Sequence, residues 1–404
     1  MNELIQKLIN ENKIQFQHGN FLLFGFANNA ITLTNLAVLF SILDDKYPEA
    51  EHIIREIGKK TLKSAAKSII RKFSSPLNSE QISILLKYLG LFGYGDFRIV
   101  NINSSQKKVI IEIKNSQYCA MYMKLFGQQK KDIMHFTSGI CEGISELILG
   151  CSATARETSC IAKGNESCFM VGEKCPEKNE LIPKFSGDLF QRLSQAEKSS
   201  DEEQEFIKKV AGHDMIFWQD GIFSIWRAPG FILPTISLAF IIKTLEEKFG
   251  KYTGNLFYHA ARVQSREALL LQIKSFGFKK DKALLQSMFE HPALTGFGIS
   301  KIDSMDFDEK VIRFRQHNNP YPRIIKEIFG TEKNPADDFV AGLAVGTIEG
   351  FFEMLMQSDE KECIASGSES CLFEITPKKT EKYPLEKKHL DIIEGKIIAK
   401  NFVL

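Results

Sequence analysis

Two nine-residue stretches carry the residue types best suited to chemistry. Cys160-Ile161-Ala162-Lys163-Gly164-Asn165-Glu166-Ser167-Cys168 and Cys363-Ile364-Ala365-Ser366-Gly367-Ser368-Glu369-Ser370-Cys371 agree at seven of nine positions and lie 203 residues apart in a chain of 404. Glu157 and Glu360 sit three residues before the first cysteine of each. Thiolate and carboxylate are zinc ligands, and zinc takes four of them in a tetrahedron. Gly164 and Gly367 let the chain turn back and bring the flanking sulfurs to one point. Two thiolates and a carboxylate supply three ligands in each half, so a fourth must come from elsewhere. Two other readings stay open: a structural turn with inert buried cysteines, or one disulfide per half.

The elements that must position these loops also occur twice. Gly93-Tyr94-Gly95 and Gly296-Phe297-Gly298 share the offset of 203, whereas Gly139-Ile140-Cys141-Glu142-Gly143 and Gly346-Thr347-Ile348-Glu349-Gly350 are offset by 207. A near-constant offset over separate motifs is the mark of a duplication. The difference of four implies an insertion in the first half, placed at Cys151-Ser152-Ala153-Thr154. Each half reads as an N-terminal hairpin, a helix, a long amphipathic helix, a shorter helix, a second hairpin, a last helix and the cysteine segment. In the first half Thr34 is the expected N-cap of the first of these helices, and Asn78 or Ser79 caps the shorter one. In the second half Pro335 opens a last helix running to about Met356. The expected boundaries are 1–175 and 202–377 for the repeats, a polar linker at 176–201, and a tail at 378–404 that forms a further hairpin around Glu394-Gly395.

Composition excludes several classes. A net charge of +2 gives no reason to expect a nucleic-acid footprint. The N-terminus lacks the apolar core of a signal peptide, and Asn28, Asn29 and Asn35 interrupt the apolar stretch from Phe21 to Leu43, so no membrane span is expected. Eight unevenly distributed cysteines point to a reducing, cytoplasmic setting. No dinucleotide-binding glycine fingerprint, nucleophile elbow or zinc-protease helix motif occurs, and the eight histidines form no close pairs. The 32 phenylalanines fit a core and also an apolar ligand pocket, for which Phe257, Tyr258, Phe297, Phe339 and Leu343 are the candidates in the second half.

On the glycine-aromatic-glycine corner, the glycine-bearing last helix and the terminal Glu-x2-Cys-x7-Cys, each half resembles a 4-vinyl reductase domain. This is also described as a hydrocarbon-binding domain, found in archaeal proteins and in aromatic-sensing input domains of sigma-54-dependent activators. The resemblance implies an α+β fold shared with haem-nitric-oxide sensor domains and a TRAPP vesicle-tethering subunit. It implies dimer-like pairing, which two copies in one chain could form internally, beside a protein partner or a homodimer. It also implies an apolar pocket between long helices and sheet, and structural zinc held by the terminal pattern together with a residue 23 positions before the glutamate. In the second half that residue is Asp337, giving Asp337, Glu360, Cys363 and Cys371. In the first half alignment on Gly139 puts Lys130 there, so Asp132, His135, Cys141 or Cys151 would have to join Glu157, Cys160 and Cys168. The implied function is non-catalytic binding or sensing of a small apolar or aromatic molecule. The alternatives are a vinyl-group reductase needing an external cofactor and a TRAPP-like scaffold. No DNA-binding or ATPase module accompanies the repeats, so a one-component transcription activator is not expected.

Overall fold

In the computed structural model the described residues are 3–11, 13–17, 20–23, 26–70, 76–176, 216–219, 221–225, 228–332 and 337–398. The expected linker beyond residue 176 lies outside them, as does the start of the second repeat up to residue 215. The fold is α+β.

The first half runs α1 (Glu3–Asn10), β1 (Ile14–Gln17), β2 (Asn20–Leu23), β3 (Phe26–Thr32), α2 (Leu33–Lys46), α3 (Ala50–Ile69), α4 (Ser79–Leu91), β4 (Asp96–Asn103), β5 (Lys108–Lys114), α5 (Gln117–Phe126), α6 (His135–Leu149), β6 (Ala153–Ser159) and β7 (Cys168–Lys174). The second repeats it as β8 (Ile216–Gln219), β9 (Ile222–Ile225), β10 (Ala228–Pro234), α7 (Thr235–Phe249), α8 (Tyr252–Phe276), α9 (Lys282–Leu294), β11 (Ile299–Asp306), β12 (Val311–His317), α10 (Pro320–Phe329), α11 (Asp338–Phe352), β13 (Met356–Glu362) and β14 (Cys371–Pro377), followed by α12 (Lys387–Lys396).

Local sequence accounts for several boundaries. Asn78 and Gln81 form a reciprocal capping box that starts α4. Helix α2 begins at Leu33, with Thr32 rather than the expected Thr34 at its N-cap. Asn103 accepts from the Gln106 amide, and Asp306 accepts from the amides of Asp308 and Glu309, so the same Asx-type turn closes both later hairpins.

Three antiparallel sheets result. Two have four strands each, in the orders β4-β5-β7-β6 and β11-β12-β14-β13. The third has six, β1-β2-β3-β10-β9-β8, and is shared by the two halves. At its centre Ile31 pairs with Phe231 and Ala30 with Ile232. The glycine-aromatic-glycine corners are the joints of this arrangement. The Ala30 amide donates to the Thr295 carbonyl and the Ile232 amide to the Phe92 carbonyl, each at 3.0 Å, so the N-terminal strands of each half lie on the corner of the other. A Cβ on Gly93 would stand 2.7 Å from the Gly230 carbonyl oxygen, and one on Gly296 would overlap the Asn28 carbonyl oxygen. Both glycines also have positive φ, +80° and +82°.

The expected four-residue insertion is absent. Helices α6 and α11 both have 15 residues, and the strands that follow start at Ala153 and Met356, which restores the offset of 203. What moves is the contact. Gly139 packs on the Arg55 carbonyl of α3, Gly346 on the Arg262 carbonyl of α8, and the ion pairs Arg55–Glu142 (2.7 Å) and Arg262–Glu349 (2.8 Å) shift with them by one helical turn. Ala153 and Thr154 belong to β6, and Met356 opens β13 rather than ending a helix.

The tail is also different from expectation. Residues 387–396 form a helix, because His389, Ile393 and Ile397 recur at helical spacing and are all buried; the last residues of the expected hairpin lie outside the described set. The segment leading to it straps across α8. Tyr383 stacks on Tyr258 with ring centres 3.6 Å apart, and His259 Nε2 meets the Tyr383 carbonyl at 2.7 Å. His389 Nδ1 meets the Tyr252 hydroxyl at 2.5 Å. Burial holds both imidazoles below the ordinary 6.5. The unfolded chain therefore takes up protons at these positions before the folded chain does. Their contribution to stability is present above pH 6.5 and is lost as pH falls through that value. Hydrogen exchange across 378–398 should be faster at about pH 5.5 than at about pH 7.5 once corrected for intrinsic rates. Equal protection at the two pH values would refute this.

No helix among the described residues is long and apolar enough to cross a membrane.

Candidate metal centres and cavity

Each cysteine loop is built in the same way. A strand delivers the glutamate, a bulge follows it, the first cysteine starts a tight turn, and the second opens the last strand of the sheet. Gly164 and Gly367 have φ of +90° and +108°, which a side chain would resist. The Asn165 and Ser368 amides donate to the carbonyls of Cys160 and Cys363, at 3.1 and 3.0 Å. The Ile161 and Ile364 amides point at the sulfurs of Cys168 and Cys371, at 3.3 and 3.4 Å. Such donors stabilise a thiolate. All eight cysteines are free, so neither loop is closed by a disulfide.

The two loops then diverge. In the first, the third sulfur comes from Cys119 of α5. The Sγ separations are 3.4 Å for Cys119–Cys160, 3.7 Å for Cys119–Cys168 and 3.6 Å for Cys160–Cys168, and all three residues are buried. A tetrahedral ion with bonds of ~2.3 Å to sulfur has S–S edges of roughly 3.8 Å, so these sulfurs form one face of such a polyhedron. Hydrogen bonds from the other two thiols and from Ile161 bring Cys168 down to about 4, while burial pushes Cys119 up. Glu157 is buried beside the cluster without joining it; Lys163 Nζ holds its Oε1 at 2.8 Å and also reaches Asp132 at 2.6 Å. Burial raises Glu157 to about 7.

None of Asp132, His135, Cys141 and Cys151 stands in this cluster. Asp132 is committed to Lys163, and His135 Nε2 lies 2.8 Å from Asp44. Cys119 was missed because α5, a ten-residue helix, was not recognised in the sequence.

In the second loop Glu360, Cys363 and Cys371 come together, with the sulfurs 3.9 Å apart. Pro322 occupies the place of Cys119, and Ser366 that of Lys163. Nothing like Lys163 ties Glu360, whose Oε1 is buried with no hydrogen-bond partner among the described residues. Burial first, then Asp337 and Cys363, push Glu360 up to about 10. Asp337 is fully buried at the N-cap of α11, accepting from the Val340 amide at 3.3 Å and from Asn319 at 2.5 Å, while its own amide donates to Glu360 Oε2 at 3.3 Å. A cation fits both loops: it would offset the cost of burying acidic groups that the protein alone leaves poorly compensated.

No family model matches the chain, and no curated protein sequence matches it. Solved structures similar to it include three of low identity. The phenol-responsive sensory domain of the transcription activator PoxR, with phenol, is 17% identical over 44% of this chain and 91% of that one, at a TM-score of 0.39. A vinyl-4-reductase family protein from Methanocaldococcus jannaschii is 20% identical over 30% and 68%, at 0.23. A trafficking protein particle complex subunit 3 from Naegleria fowleri, covalently bound to palmitic acid, is 13% identical over 38% and 98%, at 0.26.

A cavity of ≈ 140 Å³ lies in the second half between α8, α9, α11 and the β11–β12 hairpin, with Thr32 of β3 closing one side. Leu271, Phe289, Phe314 and Leu343 give it apolar walls. Ser265 and Thr347 line it while bonded to each other at 2.6 Å. Thr32 Oγ1 and Ser300 Oγ are buried with no partner among the described residues. Of the five candidate pocket residues only Leu343 lines this cavity. Phe257 is core, Phe297 and Phe339 pack on each other with ring centres 5.4 Å apart, and Tyr258 lies under the strap. The cavity face of α8 begins two turns later, at Gln264 and Ser265. In the first half Phe97 stands where the second has Ser300, and it is buried.

Proposed function

We propose that the chain is a non-catalytic binding or sensing protein for a small, largely apolar or aromatic molecule, with zinc holding the cysteine loops as structural centres. One observation carries the ligand reading: an apolar cavity of ≈ 140 Å³ with two unpartnered hydroxyls, Thr32 and Ser300, on its wall. An apolar cavity of about 150 Å³ stays dry and admits benzene. The orphaned hydroxyls would meet one polar group on such a molecule, since an unsatisfied buried hydroxyl costs ~1–3 kcal/mol. The wall is drawn from both halves, so a ligand there would bias how they dock.

Zinc suits the donor sets. Cys119, Cys160 and Cys168 would hold it in the first loop. Glu360, Cys363 and Cys371 would hold it in the second, with Asp337 as the fourth donor and Glu157 replaced by Cys119 in the first. Bound there, zinc supplies a cross-link between the loop and the helices beside it. A reducing, cytoplasmic compartment would keep the thiols available.

Protein purified under reducing conditions should contain two metal ions per chain, and Cys363→Ser should contain one. Phenol, toluene and indole, titrated calorimetrically, should include at least one ligand that binds at a single site. Metal-free parent protein would overturn the zinc reading. No heat from any of the three, together with no small molecule released on denaturation, would overturn the ligand reading.

A further inference from the structure

The duplicated sites differ at two places, Cys119 against Pro322 and Lys163 against Ser366, that both bear on one property, the softness of the ion they would select. We propose that the first loop is a soft-metal site, preferring a thiophilic cation of the Cd²⁺ or Cu⁺ class over the zinc that it would also accept, and that the second, with its carboxylate, keeps zinc. The proposal rests on the reading of both loops as metal centres.

The donors come first. Cys119, Cys160 and Cys168 offer three sulfurs already 3.4–3.7 Å apart, whereas the second loop offers two sulfurs and the carboxylate of Glu360. Thiolate-rich sites favour soft cations, and each carboxylate exchanged for sulfur moves the preference further. The third sulfur cannot arise in the second loop, because Pro322 takes its place in the helix.

Lys163 reinforces the difference. Its ammonium lies 2.8 Å from Glu157 Oε1 and 2.6 Å from Asp132, so the one oxygen donor beside the sulfurs is neutralised in place. In the second loop Ser366 stands in place of the lysine, and among the described residues no ammonium pairs with Glu360, whose carboxylate stands with the two cysteines; a buried oxygen without a hydrogen bond is common to both glutamates. The Lys163 carbonyl also accepts from Gln128 Nε2 at 2.7 Å, tying the loop to the segment that follows α5. The Ala162 carbonyl accepts from the Gln129 amide at 2.7 Å, and Ala365 repeats this bond with Glu332 at 3.0 Å in the second loop. Binding a divalent ion would displace thiol protons to solvent and change no oxidation state.

Apoprotein, stripped with a chelator under reducing conditions, would be refilled from an equimolar excess of Cd²⁺ and Zn²⁺, and bound metals counted per chain. One Cd²⁺ and one Zn²⁺ are expected. Cys119→Ser should lose the cadmium and keep the zinc, and Cys363→Ser should do the reverse. Lys163→Met, which alters a partly exposed side chain and keeps every sulfur, should release Glu157 and lower the Cd²⁺-over-Zn²⁺ preference by about tenfold or more. That variant carries the test if Cys119→Ser does not fold. Cadmium shared evenly between the loops, or a Lys163→Met preference equal to the parent's, would overturn the proposal and leave the two-metal reading standing. No metal at either loop would overturn both.

Discussion

Gly346→Ala should destabilise the protein by about 3 kcal/mol or more, although alanine is the better helix former by ~1 kcal/mol. Gly346 sits inside α11, where an added Cβ would overlap the Arg262 carbonyl oxygen of α8. The neighbouring Arg262 carbonyl carbon would be 2.7 Å away. These are backbone atoms of a helix, so no side-chain rotation relieves the clash, and the two helices must separate. Separation would also stretch the buried Arg262–Glu349 pair, and breaking one member from the other in the interior is costly. Gly139→Ala should behave likewise through the Arg55 carbonyl. Gly395→Ala is the control. It lies in α12 with nothing within 4 Å of an added Cβ, and it should be neutral or mildly stabilising. Urea midpoints of the three variants decide the matter; a Gly346→Ala midpoint equal to the parent's would mean that the helices are not in this contact.

Ser300→Phe should abolish ligand binding and raise stability. The substitution gives the second half the residue that the first half has at the same place, Phe97. The ring would enter a cavity of ≈ 140 Å³ and remove an unpartnered hydroxyl. Cavity filling commonly adds ~0.5–2 kcal/mol. A ligand present at a hundred times its dissociation constant stabilises the parent by about 2.7 kcal/mol, and that increment should vanish in the variant. The thermal midpoint without ligand should therefore rise while the ligand-dependent shift disappears. A variant that keeps the shift would place the ligand somewhere other than this cavity. Ser300→Ala separates the two effects, since it keeps the space and should weaken only ligands that use the hydroxyl.

The cysteine loops, the glycine-aromatic-glycine corners and the duplication were all legible in the sequence, because each rests on a backbone demand that few residues satisfy. Positive φ at Gly164 and Gly367 and close approach at Gly93 and Gly296 leave glycine little competition. The α4 cap and the long helices were legible for a similar reason: caps and apolar periodicity act over a few residues. What failed was long-range or short-lived in sequence. Strands β3 and β10 have no counterpart among the elements expected from sequence, because residues that face the other half as well as their own show no alternation. Helices α5 and α10, ten residues each, gave no periodic signal long enough to recognise.

Those omissions decided the site. Sequence determined that each half ends in two cysteines and a glutamate on a turn. Only the tertiary structure brought Cys119 across 41 residues to the first pair and set Lys163 against Glu157. It also showed that the shift of four residues is a slide of one helical turn along two partner helices rather than an insertion. A helix contact can move by a turn without changing any local signal, because 3.6 residues restore the same face. Sequence counts positions along one chain. The ligand sets are fixed by which distant segments meet within each half, and the cavity by how the two halves close on each other.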